Sequence, residues 1–209
     1  MNRRRRLVIA LAACGAGAVA VATVATGAAL AATDQVPLAP LVAAWPDAYA
    51  VQGQKSEPLY TEHIDLTRTG DVFSVRIDVR AQGDAALGTQ DSTVTVNGDG
   101  TVVWNTGCVK SPALCAGDTE LRGFLATAAL VGLERAGRLP ETGTARTVHD
   151  RAVVCVDDAA LHPDAAPAQV RLDPCFDRAT GAVLAHWSPD SAAFVGATLA
   201  PGATVRTLP

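Results

Sequence analysis

Histidine and serine are the residues with which this chain could do acid–base or nucleophilic chemistry. The four histidines stand apart, with no H-E-x-x-H pattern and no second His or Cys at metal-ligand spacing: His63, His149, His162 and His186. No G-x-S-x-G elbow or S-x-x-K motif supplies an activated serine. The isolated histidines are typical of positions on the wet, solvent-facing side of strands or in loops. We therefore expect no catalytic residue and no enzyme activity.

Two acidic patterns resemble sites but lack the residues that such sites need. The run from Asn97 to Val102 resembles the middle of a calcium loop, yet Thr95 and Thr106 stand where its anchoring acids belong. A hairpin turn explains the same run. Asp157 and Asp158 are typical of a solvated loop leaving a strand. We therefore expect no metal and no cofactor.

Bulky aromatic residues are the better candidates for a binding role. They can fill the core between a sheet and a helix, or they can line an apolar pocket for a lipid-like ligand. The candidate wall residues of such a pocket are Phe73, Trp104, Phe124 and Phe176.

The distribution of charge excludes one class of partner. Four of the 17 basic residues form the run from Arg3 to Arg6, which leaves 13 basic against 21 acidic residues, a formal charge of about −8. Such an acidic chain lacks the basic surface that phosphate backbones require. We expect no binding to nucleic acid.

The first 32 residues are typical of a targeting segment. The arginine run is followed by an uncharged stretch, Leu7 to Ala32, which is long enough to cross a hydrocarbon core of about 30 Å as a helix. Three fates stay open: cleavage after Ala31, retention as a single-span membrane anchor, or lipidation at Cys14. Each one places the rest of the chain outside the cytoplasm, either secreted or tethered to the outer face of the membrane.

Cysteine usage agrees with export. Beyond the targeting segment there are four cysteines, which allow three pairings: Cys108, Cys115, Cys155 and Cys175. Local closure favours Cys108–Cys115 and Cys155–Cys175, because each pair flanks one short loop. We expect two structural disulfides formed in an oxidising compartment.

The chain beyond the targeting segment divides into a tether and one domain. Residues 33–57 show no sustained period and contain Pro37, Pro40 and Pro46, which is typical of a tether. Residues 58–209 form the β-rich domain. The predicted strands are residues 59–66, 73–79, 93–96, 101–105, 152–156, 169–176, 182–187 and 204–208.

One helix interrupts the strands. Asp118 or Thr119 can cap it, Gly137 follows its last turn and Pro140 forbids continuation. Its apolar stripe is Leu121, Phe124, Leu125, Ala128, Val131 and Gly132, and its polar face is Glu120, Gly123, Thr127 and Glu134. The expected fold is α+β: a curved antiparallel sheet of about eight strands with one main helix packed on one face.

The C-terminal half resembles a known group of proteins. A strand that contains Cys155 is followed by the run Pro174 to Leu184, which has the pattern C-F-D-x-x-T-G-x-x-L. This arrangement is similar to bacterial envelope lipoproteins of the LolA/LppX-like superfamily. The resemblance implies a strongly curved sheet with helices on its concave side, and a cavity that in several members binds lipids or lipoproteins. It assigns no functional residue, because the matching positions are structural.

Two functions are compatible with these patterns. The first is an exported cell-envelope protein, not an enzyme, that binds a lipid-like or other apolar ligand between sheet and helix. The alternative is a membrane-tethered extracytoplasmic module for interaction or sensing, which would use its loops.

Overall fold

The computed structural model describes residues 34–105, 119–163, 171–196 and 198–209, and the folded unit extends from Thr33 to Pro209. Its strands are β1 (Gln35–Pro37), β2 (Ala48–Ser56), β3 (Tyr60–Thr69), β4 (Val72–Ala81), β5 (Ala86–Val96), β6 (Val102–Trp104), β7 (Thr142–Val148), β8 (Arg151–Cys155), β9 (Asp173–Asp177), β10 (Val183–Ser188), β11 (Ala193–Val195) and β12 (Thr204–Thr207). Its helices are α1 (Leu38–Ala43), α2 (Thr119–Phe124), α3 (Ala126–Arg135) and α4 (Asp158–Leu161).

The strands of the described residues form two antiparallel sheets of six strands each. Sheet A has the order β1-β7-β8-β9-β10-β11, and sheet B has the order β12-β2-β3-β4-β5-β6. The α+β class and the antiparallel pairing are confirmed. The prediction of one sheet of about eight strands is wrong, because the chain enters sheet A with β1, crosses to sheet B with β2, and returns to sheet A at β7.

The segment predicted as a tether is part of the fold. It supplies β1, α1 and β2, and Leu38, Trp45 and Tyr49 are all buried. The prolines misled the prediction. Pro37 is the N-cap residue of α1 and Pro40 lies in its first turn, where backbone N–H groups have no partner within the helix.

Local turn signals located the hairpins correctly. Strands β3 and β4 pair along their length, and Phe73, Val75 and Ile77 alternate into the core. The turn from Asn97 to Gly100 joins β5 to β6, with Val96 opposite Val102. Strand β8 pairs with β9, and the strands predicted at residues 182–187 and 204–208 are present as β10 and β12.

The Cys155–Cys175 disulfide is formed. The two cysteines lie directly opposite each other on β8 and β9, and both are buried. Cys108 and Cys115 lie outside the described residues, so the second disulfide stays a prediction. The targeting segment, residues 1–32, also lies outside them.

The single predicted helix is two helices. The backbone of Leu125 (φ −95°, ψ 9°) departs from helical geometry and separates α2 from α3. The predicted apolar stripe is buried, as expected. Thr127, which was predicted on the polar face, is also buried, because its hydroxyl donates to the carbonyl oxygen of Gly181 at 2.6 Å. Gly137 ends α3 with φ +66°, as its position after the last turn predicted.

The break between the helices lets them contact different sheets. Helix α2 contacts β10 of sheet A, whereas α3 contacts β5 and β6 of sheet B. Buried side chains of both sheets and of the helices join in one core cluster. Among the described residues, no helix is both long enough and apolar enough to span a membrane.

The disulfide should carry a measurable part of the stability. Replacing both Cys155 and Cys175 with alanine should lower the free energy of unfolding by about 3 kcal/mol, because the bond closes a loop of 20 residues in the unfolded chain. Urea unfolding followed by circular dichroism measures the difference. A double variant as stable as the parent protein would show that the bond contributes nothing.

Candidate ligand-binding cavity

One wall of the candidate site is the hairpin of β5 and β6. Cross-strand pairing sets Val94 opposite Trp104 and Val96 opposite Val102. Residues two apart on a strand share a face, so these side chains all point to the same side. That side faces α3, which packs on both strands.

Helix α3 approaches this hairpin through two glycines. A Cβ atom built on Gly132 would lie 2.5 Å from the carbonyl oxygen of Gly100, and one built on Gly100 would lie 2.2 Å from that of Gly132. Gly100 also has φ +85°, a backbone conformation that residues with a Cβ rarely adopt. The two backbones touch here because neither residue has a side chain.

An arginine at the end of α3 holds the same contact. Nη1 of Arg135 donates to the carbonyl oxygen of Val96 at 2.7 Å, and Nη2 donates to the carboxylate of Asp71. These bonds tie the helix to the end of β5 and to the turn between β3 and β4. These bonds and the glycine contact fix α3 against the hairpin of β5 and β6, and these elements form two walls of the cavity.

Besides its contact with β10, helix α2 is tied to sheet B by a half-buried cation. Nζ of Lys55 on β2 lies 2.8 Å from Oε1 of Glu120 and 3.3 Å from Oε2 of Glu62. Burial lowers the pKa of Lys55, but the two carboxylates outweigh it and hold that pKa above its ordinary value. Burial, and then the charge of Glu120, raise the pKa of Glu62. This anchor positions Arg122, two residues along α2.

The third side of the site is helix α4. Asp157 caps it, since its carboxylate accepts from the backbone N–H of Ala159 at 3.0 Å. Asp157 and Asp158 were predicted to lie in a solvated loop, and this was wrong: they start a helix whose last residue, Leu161, is buried. The capping role of Asp157 is the sequence signal that could have revealed the helix.

These elements enclose a cavity of about 430 Å³. Its lining changes in character from the inside to the outside. Buried apolar residues line its depth, and half-buried or exposed basic residues stand at its edge. The lining residues are Val94, Gly100, Val102, Trp104, Arg122, Leu125, Ala129, Gly132, Leu133, Arg138, Leu161, His162 and Pro163.

The edge of the cavity carries a histidine close to an arginine. Burial, and then the positive charge of Arg122, lower the pKa of His162, while Asp158 opposes them. Nε2 of His162 lies 3.8 Å from Oδ1 of Asp158. The imidazole is therefore biased toward its neutral form.

The predicted pocket residues separate into two groups. Trp104 lines the cavity and is half-buried. Phe73, Phe124 and Phe176 do not line it; they are among the buried residues of the core, each exposed by 2% or less. Phe176 packs against Trp45, with ring centroids 5.8 Å apart.

Sequence reasoning missed the basic residues of the site. His162 was predicted to lie on the wet face of a strand or in a loop, without a role, and Arg122 and Arg138 were not considered for a site. His186, predicted on a wet face or in a loop, is buried on β10. In the described part of the chain, no three His, Cys, Asp or Glu side chains are grouped as metal ligands.

The chain matches no protein-family model, no curated protein and no solved structure. The case for a function therefore comes from the residues of the chain and from the geometry of this cavity.

The glycine contact can be tested by adding a single methyl group. Replacing Gly132 with alanine should lower the free energy of unfolding by about 1–3 kcal/mol, because the new Cβ overlaps the backbone oxygen of Gly100. Intrinsic helix propensity alone predicts the opposite, a gain of up to about 1 kcal/mol. Urea unfolding distinguishes the two signs.

The matched control is Gly98 in the same hairpin turn. A Cβ on Gly98 would meet nothing within 4 Å, so replacement with alanine should change the stability by less than about 0.5 kcal/mol. A stabilised Gly132→Ala variant would contradict the close approach of helix and hairpin.

Proposed function

We propose that this protein is an exported cell-envelope protein, not an enzyme, whose cavity between sheet B and the helices binds a lipid-like or other apolar ligand. The observation that carries the proposal is the cavity itself. Its volume of about 430 Å³ lies within the usual range for small-molecule sites, about 300–1,000 Å³. Val94, Leu125 and Leu133 are buried residues of its lining. Their side chains are hydrocarbon, so an apolar ligand that contacts them leaves no polar group without a partner.

Other features support the same proposal. The buried Cys155–Cys175 disulfide is compatible with an oxidising compartment outside the cytoplasm. The arginine run and apolar stretch of residues 1–32 favour export, with cleavage, anchoring and lipidation at Cys14 all open. We propose a second disulfide between Cys108 and Cys115. The C-terminal motif that resembles the LolA/LppX-like superfamily points to the same class of function.

A membrane-tethered interaction or sensory module is the second proposal. It is favoured by two exposed leucines at one end of sheet B, Leu59 (78% exposed) and Leu87 (60% exposed). Leu59 precedes β3 and Leu87 lies near the start of β5. The backbone N–H of Gln82 donates to the carbonyl oxygen of Leu59, which ties the two hairpin tips together.

Filling the cavity should abolish binding of an apolar probe. N-Phenyl-1-naphthylamine is neutral and fluoresces strongly in apolar surroundings, so it reports occupancy without a charged group. Ala129 is half-buried and lines the cavity, and Ala129→Phe should weaken the affinity for this probe by about tenfold or more. Fluorescence titration of the full chain measures the effect.

Ala152 supplies the control. It is exposed on β8 and does not line the cavity, so Ala152→Phe should leave the affinity within about twofold of the parent protein. Circular dichroism confirms that both variants are folded. If the parent protein does not bind the probe, or if both variants bind it alike, the proposed function is wrong.

A further inference from the structure

Two groups that can be positively charged meet at the edge of the cavity. Arg122 comes from α2 and His162 from the end of α4, and each is half-buried. Arg138, which follows α3, also lines the cavity and is exposed. Two basic side chains, from α2 and from the end of α4, thus stand together beside an apolar lining, although the chain beyond the targeting segment is acidic overall.

The carboxylates near this edge do not neutralise Arg122. Asp158 faces His162, one turn earlier on α4. Within the described residues, Arg122 forms no ion pair, whereas Glu120 on the same helix is engaged with Lys55. A half-buried guanidinium without an anionic partner is poorly compensated, and its planar fork suits a carboxylate, phosphate or sulfate group.

We propose that the cavity selects anionic amphiphiles: a single apolar chain occupies the interior, and an anionic head group is held by Arg122, with His162 beside it. This inference rests on the proposed function, because the chain of the ligand needs the same apolar cavity. The head group adds the specificity that the apolar walls cannot provide.

Displacement of the neutral probe tests the head group separately from the cavity. Decyl sulfate keeps its negative charge at every working pH, and decyltrimethylammonium has the same chain with a cationic head. Below their micellar concentrations, decyl sulfate should displace N-phenyl-1-naphthylamine from the full chain at about tenfold or more lower concentration than the cation does. Equal displacement by both would overturn the inference, while leaving the proposed function intact.

A head group without a chain distinguishes an amphiphile site from a simple anion site. Ethyl sulfate should not displace the probe at concentrations at which decyl sulfate does. If ethyl sulfate binds as tightly as decyl sulfate, the site recognises a free anion and the inference is wrong. If the neutral probe itself does not bind, the proposed function fails first.

Charge removal identifies the residue responsible. Arg122→Gln should weaken displacement by decyl sulfate about tenfold or more beyond any change that the substitution makes to the affinity for the neutral probe. Arg80→Gln removes the same charge from a remote pair with Asp84 and should change neither. If Arg122→Gln weakens the binding of decyl sulfate and of the neutral probe by the same factor, Arg122 has a structural role only.

The inference also predicts a pH dependence. Burial and Arg122 hold the pKa of His162 low, and the charge of a bound anion should raise it, so binding takes up a proton. The affinity for decyl sulfate should therefore increase as the pH falls from about 7.5 to about 5.5, across the ordinary histidine range. The affinity for the neutral probe should stay constant.

His162→Gln provides the control for this dependence. It should make the affinity for decyl sulfate independent of pH, while Asp158 and Arg122 remain in place. A pH dependence that persists in His162→Gln, or one of opposite sign in the parent protein, would contradict the role of His162.

Discussion

Helix α3 meets each sheet through a glycine, and the arrangement of the core depends on these two contacts. Toward sheet B, Gly132 touches the backbone of Gly100. Toward sheet A, the hydroxyl of Thr127 donates to the carbonyl oxygen of Gly181. A Cβ on Gly181 would lie 2.4 Å from the ring of Trp45, so the tryptophan occupies the space that the glycine leaves. The position of α3 is thus set by a backbone contact with the turn between β5 and β6 and by a hydrogen bond to the turn between β9 and β10, and Gly100 and Gly132 are themselves part of the cavity lining.

The sequence allowed prediction of the parts of the fold that are encoded locally. A turn such as the one from Asn97 to Gly100 lies between the strands that it joins, so this hairpin could be predicted. The division into two sheets could not, because it depends on distant pairing. Gln35 of β1 lies opposite Thr144 of β7, and Val205 of β12 lies opposite Val51 of β2. Nothing within a short window marks these partners.

The candidate site shows the same limit. Aromatic residues were predicted to line a pocket, but the residue type does not distinguish a wall from a filled core, and only Trp104 of the four lines the cavity. The basic residues come from three separate places in the chain. Arg122, Arg138 and His162 line one cavity only after α2, α3 and α4 have packed, so spacing along the sequence does not show that they share a site.

The position of β1 has a consequence for how the chain assembles. This strand is the first of the strands to be synthesised. The residues with which it pairs, Thr142–Thr144, follow about a hundred residues later. One edge of β2 also stays unpaired until the last strand, β12, has been synthesised. Closing such long loops is slow, so sheet B can assemble its central hairpins early, whereas sheet A must wait for the C-terminal half. A chain without its C-terminal half would leave β1 unpaired and one edge of β2 without its partner β12.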